Sequence, residues 1–316
     1  MGGALSAVTT KPKLGFLGLG WIGRSRLEAV ERAGAAEVAA VADPAMPAAL
    51  DSLEELLELD LDGIVIATPS ALHAAQAQLA LARGLPVFCQ KPLGRTTAET
   101  AQVVRAARAA DVLLGVDLSY RQVEAVRAAV DAVRTGVLGE VFAADLVFHN
   151  AYGPDKSWFY DPELSGGGCV IDLGLHLVDL ALWALGGRVT RASSRLRGQP
   201  VEQFAVAQLD LDSGAVARVA CSWNLALGQD CVFEASFYGD QGSVSVRNVD
   251  GSFYDFRADL ARGRARETLS EPPDDWGGRT LVEWARRLAA GERFDPRAEE
   301  LVVAAEAIDL IYGRDA

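Results

Sequence analysis

The chain has two regions with different hydrophobic patterns. From residue 13 to about residue 120, short and almost wholly apolar runs alternate with helical stretches rich in Ala and Leu; the runs lie at residues 14–17, 38–42, 64–68, 87–89 and 112–116. Apolar strands joined by helices are typical of a parallel sheet that is covered on both faces. This region therefore predicts an α/β domain with a doubly wound, Rossmann-type sheet.

After residue 121, apolar and polar positions alternate with a period of two, which predicts strands at 141–149, 204–211, 215–223, 232–238 and 243–246. This period indicates a largely antiparallel sheet with one free face. Helical spacing predicts helices over 170–185 and about 297–312. We therefore predict two domains, residues 1–120 and 121–316, the second an α+β domain with a large open sheet.

Composition narrows the classes of partner. The 316 residues are 50% hydrophobic and carry a formal net charge of -13, so nucleic acid and anionic membrane surfaces are excluded as partners.

The four cysteines are widely spaced, which favours reduced thiols and a cytoplasmic location. Residues 1–6 are interpreted as a tail before the first strand. Since a one-sided sheet leaves apolar surface in water, we expect a homodimer or homotetramer.

A glycine-rich turn follows the first predicted strand. Gly18, Gly20 and Gly23, with Trp21 and Ile22 between the last two, form a G-x-G-x-x-G pattern that opens a helix. At such a turn the backbone can approach a pyrophosphate closely. The pattern therefore predicts a dinucleotide site, and the alternative is a tight turn without a ligand.

Asp43 ends the second predicted strand, twenty residues after the glycine turn. A carboxylate there can accept hydrogen bonds from both ribose hydroxyls of adenosine and would repel a 2′-phosphate. The next Arg or Lys along the chain is Arg83, so no nearby cation would pair with that phosphate. We predict NAD rather than NADP, unless Asp43 is only a turn residue. Arg24 and Arg26 are expected to be solvated.

Three further stretches carry a family resemblance: residues 67–73 (ATPSALH), 89–94 (CQKPLG) and 166–176 (GGGCVIDLGLH). With the glycine turn, their order and spacing resemble the glucose-fructose oxidoreductase, inositol dehydrogenase and rhizopine catabolism family (Gfo/Idh/MocA). The resemblance implies an open mixed sheet and a cleft between domains. It also implies hydride transfer between nicotinamide and a secondary alcohol or ketone of a sugar, cyclitol or related polyol.

The same resemblance makes Lys91 the central catalytic residue, and an ammonium beside the reacting oxygen stabilises developing alkoxide charge. Asp172 and His176 are four apart and share one face of the predicted helix. We predict His176 as the general base, with Asp172 orienting the substrate hydroxyl or the imidazole. The alternative for Lys91 is a solvated residue at the end of a strand. The alternative for Asp172 and His176 is an ordinary pair on one helix face.

Other residues of these motifs are predicted to contact the cofactor: Thr68, Pro69, His73 and Gln90. His73 has an equal alternative as a packing or capping residue. Gln90 stands where the family has Glu before Lys-Pro; the amide keeps the shape and can still bind ribose or nicotinamide, but removes a negative charge. The family also implies a cis peptide bond before Pro92.

Substrate contacts are predicted at the domain junction and in the loop before the glycines of 166–168: Arg121, His149, Trp158 and Tyr160. Rings and hydrogen-bonding groups suit a polyol, and the alternative is that these side chains only pack the seam between domains. No metal site is expected, because His176 and Asp179 have no second histidine at ligand spacing.

Two other functions remain open at this point. One is a sensor that binds dinucleotide and sugar without turnover, against which Lys91, Asp172 and His176 argue. The other is an NAD-dependent glycosidase that oxidises the sugar transiently. Net formation of NADH separates a dehydrogenase from the glycosidase.

Overall fold

The computed structural model describes residues 11–46 and 49–314, so the tail interpreted at residues 1–6 lies outside the described residues. The first sheet has five parallel strands in the spatial order β2-β1-β3-β4-β5. They are β1 (Lys13–Leu17), β2 (Glu37–Ala42), β3 (Gly63–Ile66), β4 (Val87–Cys89) and β5 (Leu114–Val116). Each predicted apolar run forms a strand, and the Rossmann-type class is confirmed.

Helices cover both faces of this sheet: α1 (Trp21–Arg32), α2 (Leu53–Leu57), α3 (Ser70–Ala82) and α4 (Thr97–Ala110). Neighbouring residues of one strand enter different cores, since Ile64 and Ile66 pack into one buried cluster and Val65 into the other. A strand buried on both faces needs apolar residues at every position. This explains the continuous apolar runs.

The second sheet has eight strands in the order β13-β12-β11-β10-β6-β9-β8-β7. They are β6 (Val141–Asn150), β7 (Val189–Arg197), β8 (Phe204–Leu211), β9 (Val216–Ser222), β10 (Cys231–Gly239), β11 (Ser243–Asn248), β12 (Phe256–Arg262) and β13 (Ala265–Ser270). Strands β6 and β9 pair in parallel, whereas the other pairs are antiparallel. The open mixed sheet is confirmed.

The core of the second sheet lies on one of its faces. It is covered by α5 (Glu124–Arg134), α7 (Leu175–Leu185) and α9 (Glu299–Tyr312), while the short α6 (Pro162–Ser165) precedes the glycine-rich loop. On the opposite face, Val206 and the ion pair between Arg218 and Asp145 are exposed in part. A homodimer or homotetramer through this face stays a prediction.

Helix α8 (Arg279–Ala289) returns to the first sheet. Its Trp284 packs against Phe88 with 5.7 Å between ring centroids. Two strand glycines make room for the indole, because a Cβ at Gly115 or Gly63 would lie 2.5 or 2.9 Å from its ring atoms. Residues of the predicted second domain therefore complete the core of the first, which differs from a simple division at residue 121.

One helical stretch, Pro162–Leu185, has the length and the composition of a membrane-crossing helix. In the fold, 78% of its apolar window is buried by protein. Its apolar character is accounted for by the core of the second sheet, against which α7 packs.

Removing a large ring from this core should destabilise the protein. Phe237 on β10 is 2% exposed and lies in the core, whereas Phe142 on β6 is 55% exposed. We expect Phe237→Ala to lower the free energy of unfolding by about 3–5 kcal/mol, since it leaves a cavity. The matched change Phe142→Ala should cost about 0.5 kcal/mol or less. Urea denaturation measures both, and equal losses would contradict this core assignment.

Candidate active site

The glycine turn sits where the strand order of the first sheet reverses, between β1 and β3. Gly18 has a φ of +87°, and a Cβ there would lie 2.7 Å from the carbonyl oxygen of Ala67 after β3. A Cβ at Gly23 would lie 2.3 Å from the oxygen of Gly18. Both positions therefore require glycine for close approach. Ligands of open α/β sheets bind in the crevice at such a switch point.

The turn has the donors that a dinucleotide needs. In the described structure no side chain caps the N-terminus of α1, so its first backbone N–H groups are available to an anion. A Cβ at Gly20 would meet nothing within 4 Å, and Trp21 is 74% exposed while Ile22 is half-buried. The residues present therefore fit the pyrophosphate of NAD or NADP.

Asp43 ties the end of β2 to this turn. Its carboxylate accepts hydrogen bonds from the backbone N–H of Leu19 at 2.7 Å and of Ala45 at 2.9 Å. The carboxylate has further lone pairs, so these bonds do not prevent a contact with ribose hydroxyls. The ribose contact stays a prediction.

The segment after β3 forms the neighbouring wall. Pro69 precedes the first turn of α3, and the hydroxyl of Thr68 donates to Gln76 at 2.6 Å. The ring nitrogens of buried His73 lie 2.7 Å from the carbonyl oxygens of Pro92 and Thr68. Burial lowers the pKa of His73, against the opposing effect of these carbonyls. His73 therefore connects two loops, as the packing alternative expects, and its contact with the cofactor stays a prediction.

A largely buried ion pair joins Lys91 to Asp172. Nζ of Lys91 donates to Oδ1 of Asp172 at 2.5 Å and to its backbone oxygen at 2.8 Å. The side chains are only 19% and 16% exposed. The Lys91–Pro92 peptide bond is cis, as the family resemblance implies. An ion pair between the end of β4 and the segment before α7 thus joins the two halves of the site.

The segment that carries Asp172 is a π-helical turn, Val170–Gly174, which leads into α7. The predicted helix over 170–185 is confirmed, and its first five residues form a π-helical rather than an α-helical turn. Wider π-turns alter the angle between positions four apart, and Oδ2 of Asp172 accepts from Nε1 of Trp223 at 3.1 Å. With its other oxygen on Lys91, Asp172 makes no hydrogen bond to His176 among the described residues, and its predicted role in orienting the substrate hydroxyl or the imidazole stays a prediction.

His176 lies buried at the start of α7, and its ring packs against Tyr120 with 4.8 Å between centroids. Burial lowers the pKa of His176 well below its usual value, and the positive charges of Lys91 and Arg26 lower it further. Among the described residues its Nδ1 has no hydrogen-bond partner. The imidazole is therefore neutral at pH 7 and can accept a proton.

A buried carboxylate fixes the glycine-rich loop ahead of this turn. Oε1 of Glu202 accepts from the N–H of Gly168 at 2.9 Å and of Val170 at 3.0 Å, and from the hydroxyl of Tyr312 at 2.8 Å. A Cβ at Gly168 would lie 1.8 Å from the backbone oxygen of Glu202, and one at Gly167 would lie 2.0 Å from the Tyr312 hydroxyl. The glycines are required because the loop touches these groups directly.

Three of the predicted substrate residues surround Trp223. Tyr160 lies 5.7 Å from Trp223 between ring centroids, while Trp158 stacks on Phe159, which itself contacts Trp223. Oγ of Ser222, the preceding residue, lies 2.8 Å from Nδ1 of His149, whose pKa is lowered by burial. Sequence reasoning missed Trp223, although it ends a predicted strand. The parallel pairing of β6 with β9 sets His149 opposite Ser222, the residue before Trp223.

Arg121 has a different environment. Its Nε and Nη2 donate to the buried carboxylate of Asp179, its Nη1 donates to Glu300, and the guanidinium lies over the ring of Trp183. These carboxylates raise the pKa of Arg121, although burial opposes them. All three nitrogens are engaged by the protein, so these contacts do not support the predicted substrate role.

Comparison with known proteins agrees with this geometry. Residues 13–118 match the model of an oxidoreductase family with an NAD-binding Rossmann fold, and residues 126–245 match a GFO/IDH/MocA C-terminal domain. The chain belongs to the Gfo/Idh/MocA family. Its members include NAD(P)-dependent sugar oxidoreductases.

Three similar proteins illustrate the family. The rhizopine catabolism protein MocA of Rhizobium meliloti is 28% identical over 81% of this chain and 88% of its own. D-xylose 1-dehydrogenase (NADP(+)) 2 of Haloferax volcanii is 32% identical over 88% and 86%. The structure of levoglucosan dehydrogenase with NADH superposes with a TM-score of 0.83, at 19% identity over 96% of both chains, which supports the fold.

In this Gfo/Idh/MocA chain, Gln90 precedes Lys91 where the resemblance leads us to expect a glutamate. The Gln90 amide donates to Asp117, which also pairs with Arg26. The expectation that Arg26 is solvated is wrong, since it is buried beside this carboxylate. Among the residues that the structure describes, no group of three or more His, Cys, Asp or Glu could hold a metal ion.

Weakening the Glu202 clamp should loosen the loop that carries Asp172. Glu202→Gln removes the charge from bonds to Gly168 and Val170, and bonds to charged groups contribute about 1.5–3 kcal/mol each. We expect a loss of about 1–3 kcal/mol in unfolding free energy and faster amide exchange at both residues. Glu234→Gln, on the exposed side of β10, is the control. Unchanged exchange at both amides would contradict the clamp.

Proposed function

We propose that this protein is an NAD-preferring dehydrogenase. It transfers a hydride between nicotinamide and a secondary alcohol or ketone of a sugar, cyclitol or related polyol. The observation that carries the proposal is the ion pair of Lys91 with Asp172. A buried, neutral His176 at the start of α7 and a glycine turn suited to a pyrophosphate support it. Residues 1–120 would bind cofactor, and residues 121–316 would supply the substrate site and the contacts of a homo-oligomer.

The chemistry divides among three side chains. The bound nicotinamide supplies the acceptor for the hydride. Lys91 has three N–H donors, of which two engage Asp172, so the third is free to donate to the substrate oxygen and stabilise alkoxide charge. His176 takes the proton of the alcohol, because its lowered pKa keeps it unprotonated. Asp172 holds the ammonium in place through these two bonds.

The preference for NAD rests on Asp43. Its carboxylate is held at the glycine turn by Leu19 and Ala45, where it would repel a 2′-phosphate. The Haloferax volcanii relative carries NADP(+) in its name, so family membership alone does not set the preference.

The substrate class rests on the side chains around Trp223. Trp158 and Tyr160 offer ring faces on which a sugar can stack, and His149 offers a hydrogen-bonding group. Such a mixture suits a ligand with alternating C–H and hydroxyl surfaces.

Turnover with NAD and a panel of cyclitols, aldoses and their phosphates tests the proposal, with NADP in parallel. We expect formation of reduced nicotinamide with NAD, and a fall in kcat on the order of 10²–10³-fold for Lys91→Ala because alkoxide stabilisation is lost. Lys13→Ala, which removes an exposed lysine paired with Asp60, is the matched control and should keep full activity.

Two outcomes would contradict the proposal. If NAD binds but no member of the panel is oxidised, and glycosides are cleaved without net NADH, transient oxidation replaces the dehydrogenase assignment. If Lys91→Ala retains wild-type turnover, the assignment of the catalytic centre is wrong.

A further inference from the structure

Three polar side chains form a buried network in the wall of the first sheet beside the cleft. Arg26 comes from α1, Gln90 follows β4 and Asp117 follows β5; they are 6%, 7% and 1% exposed. Nε of Arg26 donates to Oδ2 of Asp117 at 2.6 Å, and Nε2 of Gln90 donates to the same oxygen at 2.5 Å. One carboxylate oxygen therefore holds both the cation and the amide.

The partners determine which way the Gln90 amide points. A carboxylate paired with an arginine only accepts hydrogen bonds, so Gln90 must turn its NH₂ group toward Asp117 and its carbonyl oxygen away. The N–H of Asp117 also donates to the oxygen of Cys89 at 2.9 Å, which joins the two strand ends. The side-chain amide of Gln90 and the backbone just before it are thereby both restrained. Lys91 is the next residue.

The charges explain why an amide occupies position 90. Glutamate there would set a second carboxylate against Asp117 with only one guanidinium to neutralise both. Two carboxylates in contact cannot both ionise without a large penalty. An uncharged amide at position 90 is therefore compatible with an ionised carboxylate at position 117, whereas a second carboxylate is not.

Two observations distinguish the network from the static core. Oδ1 of Asp117 is buried and has no hydrogen-bond partner among the described residues, whereas buried polar atoms with a purely structural role are almost always hydrogen-bonded. Arg26 also contributes to lowering the pKa of His176, after burial and Lys91. The network thus lies within electrostatic reach of the predicted base.

We propose that Arg26, Asp117 and Gln90 act as a positioning unit for the catalytic centre, in which positions 90 and 117 share a single negative charge. This inference rests on the proposed dehydrogenase function. The unit holds the Gln90 amide and the adjoining Lys91 in place, and it sets the net charge near His176.

A double-mutant cycle of Gln90→Glu and Asp117→Asn tests the shared charge. Gln90→Glu adds a negative charge, which raises the pKa of His176 and moves the acid limb of the kcat/KM profile to higher pH. Asp117→Asn removes one and moves that limb to lower pH. Each single variant should also weaken NADH binding by about tenfold, a loss that corresponds to about 1.4 kcal/mol.

In the double variant the negative charge is restored at position 90. The end of that side chain lies beside the guanidinium, since both donors reach one oxygen. We expect the acid limb to return to its wild-type position and NADH affinity to recover to within about threefold of wild type. Gln122→Glu is the matched control, because Gln122 also donates to a carboxylate, that of Glu283, at 2.6 Å. It should change neither property.

This inference is overturned if the fold-loss of NADH affinity in the double variant equals the product of the fold-losses in the two single variants. Coupling seen only in urea unfolding and not in NADH affinity would likewise reduce the network to a structural role. NADH affinity is measured by fluorescence titration and needs no substrate. A wild-type protein that binds NADH but oxidises nothing would therefore end the proposed function while the cycle still decides the role of the network.

Discussion

The arrangement of the cleft depends on the ion pair between Lys91 and Asp172. A charged pair this far withdrawn from solvent is stable only when both partners are present, since an isolated buried charge is costly. The end of β4 and the π-helical turn must therefore meet within hydrogen-bond distance. That requirement brings the ammonium to the π-helical turn that leads into α7, at whose start His176 lies.

The remaining contacts serve to hold the Asp172 side of this pair. Glu202 fixes the loop from which the π-helical turn begins, and Trp223 binds the second carboxylate oxygen. On the Lys91 side, the buried network of Asp117 restrains the preceding residue. Each partner of the ion pair is thus positioned by a hydrogen-bonded group that lies far away in sequence.

The sequence predicted what local patterns encode. Strands buried on both faces appear as apolar runs, and the glycine turn is recognisable because its spacing lies within one strand-helix connection. Strands β7, β12 and β13 were missed. Strands β7 and β13 are mostly exposed and so lack a clear apolar alternation, whereas β12 lacks it because the consecutive residues Ala258, Asp259 and Leu260 are all buried. The π-helical turn and the roles of Glu202, Trp223 and Asp117 depend on partners distant in sequence, such as Tyr312, which no local pattern specifies.

Turnover of Asp172→Asn tests the central claim most directly. The amide keeps the size of the side chain and can still accept from Trp223, but it removes the charge that holds the ammonium of Lys91. We expect a kcat reduced on the order of 10²-fold or more, with NADH affinity within about threefold of wild type. A variant that binds NADH and keeps wild-type kcat would show that the ion pair does not organise the reaction.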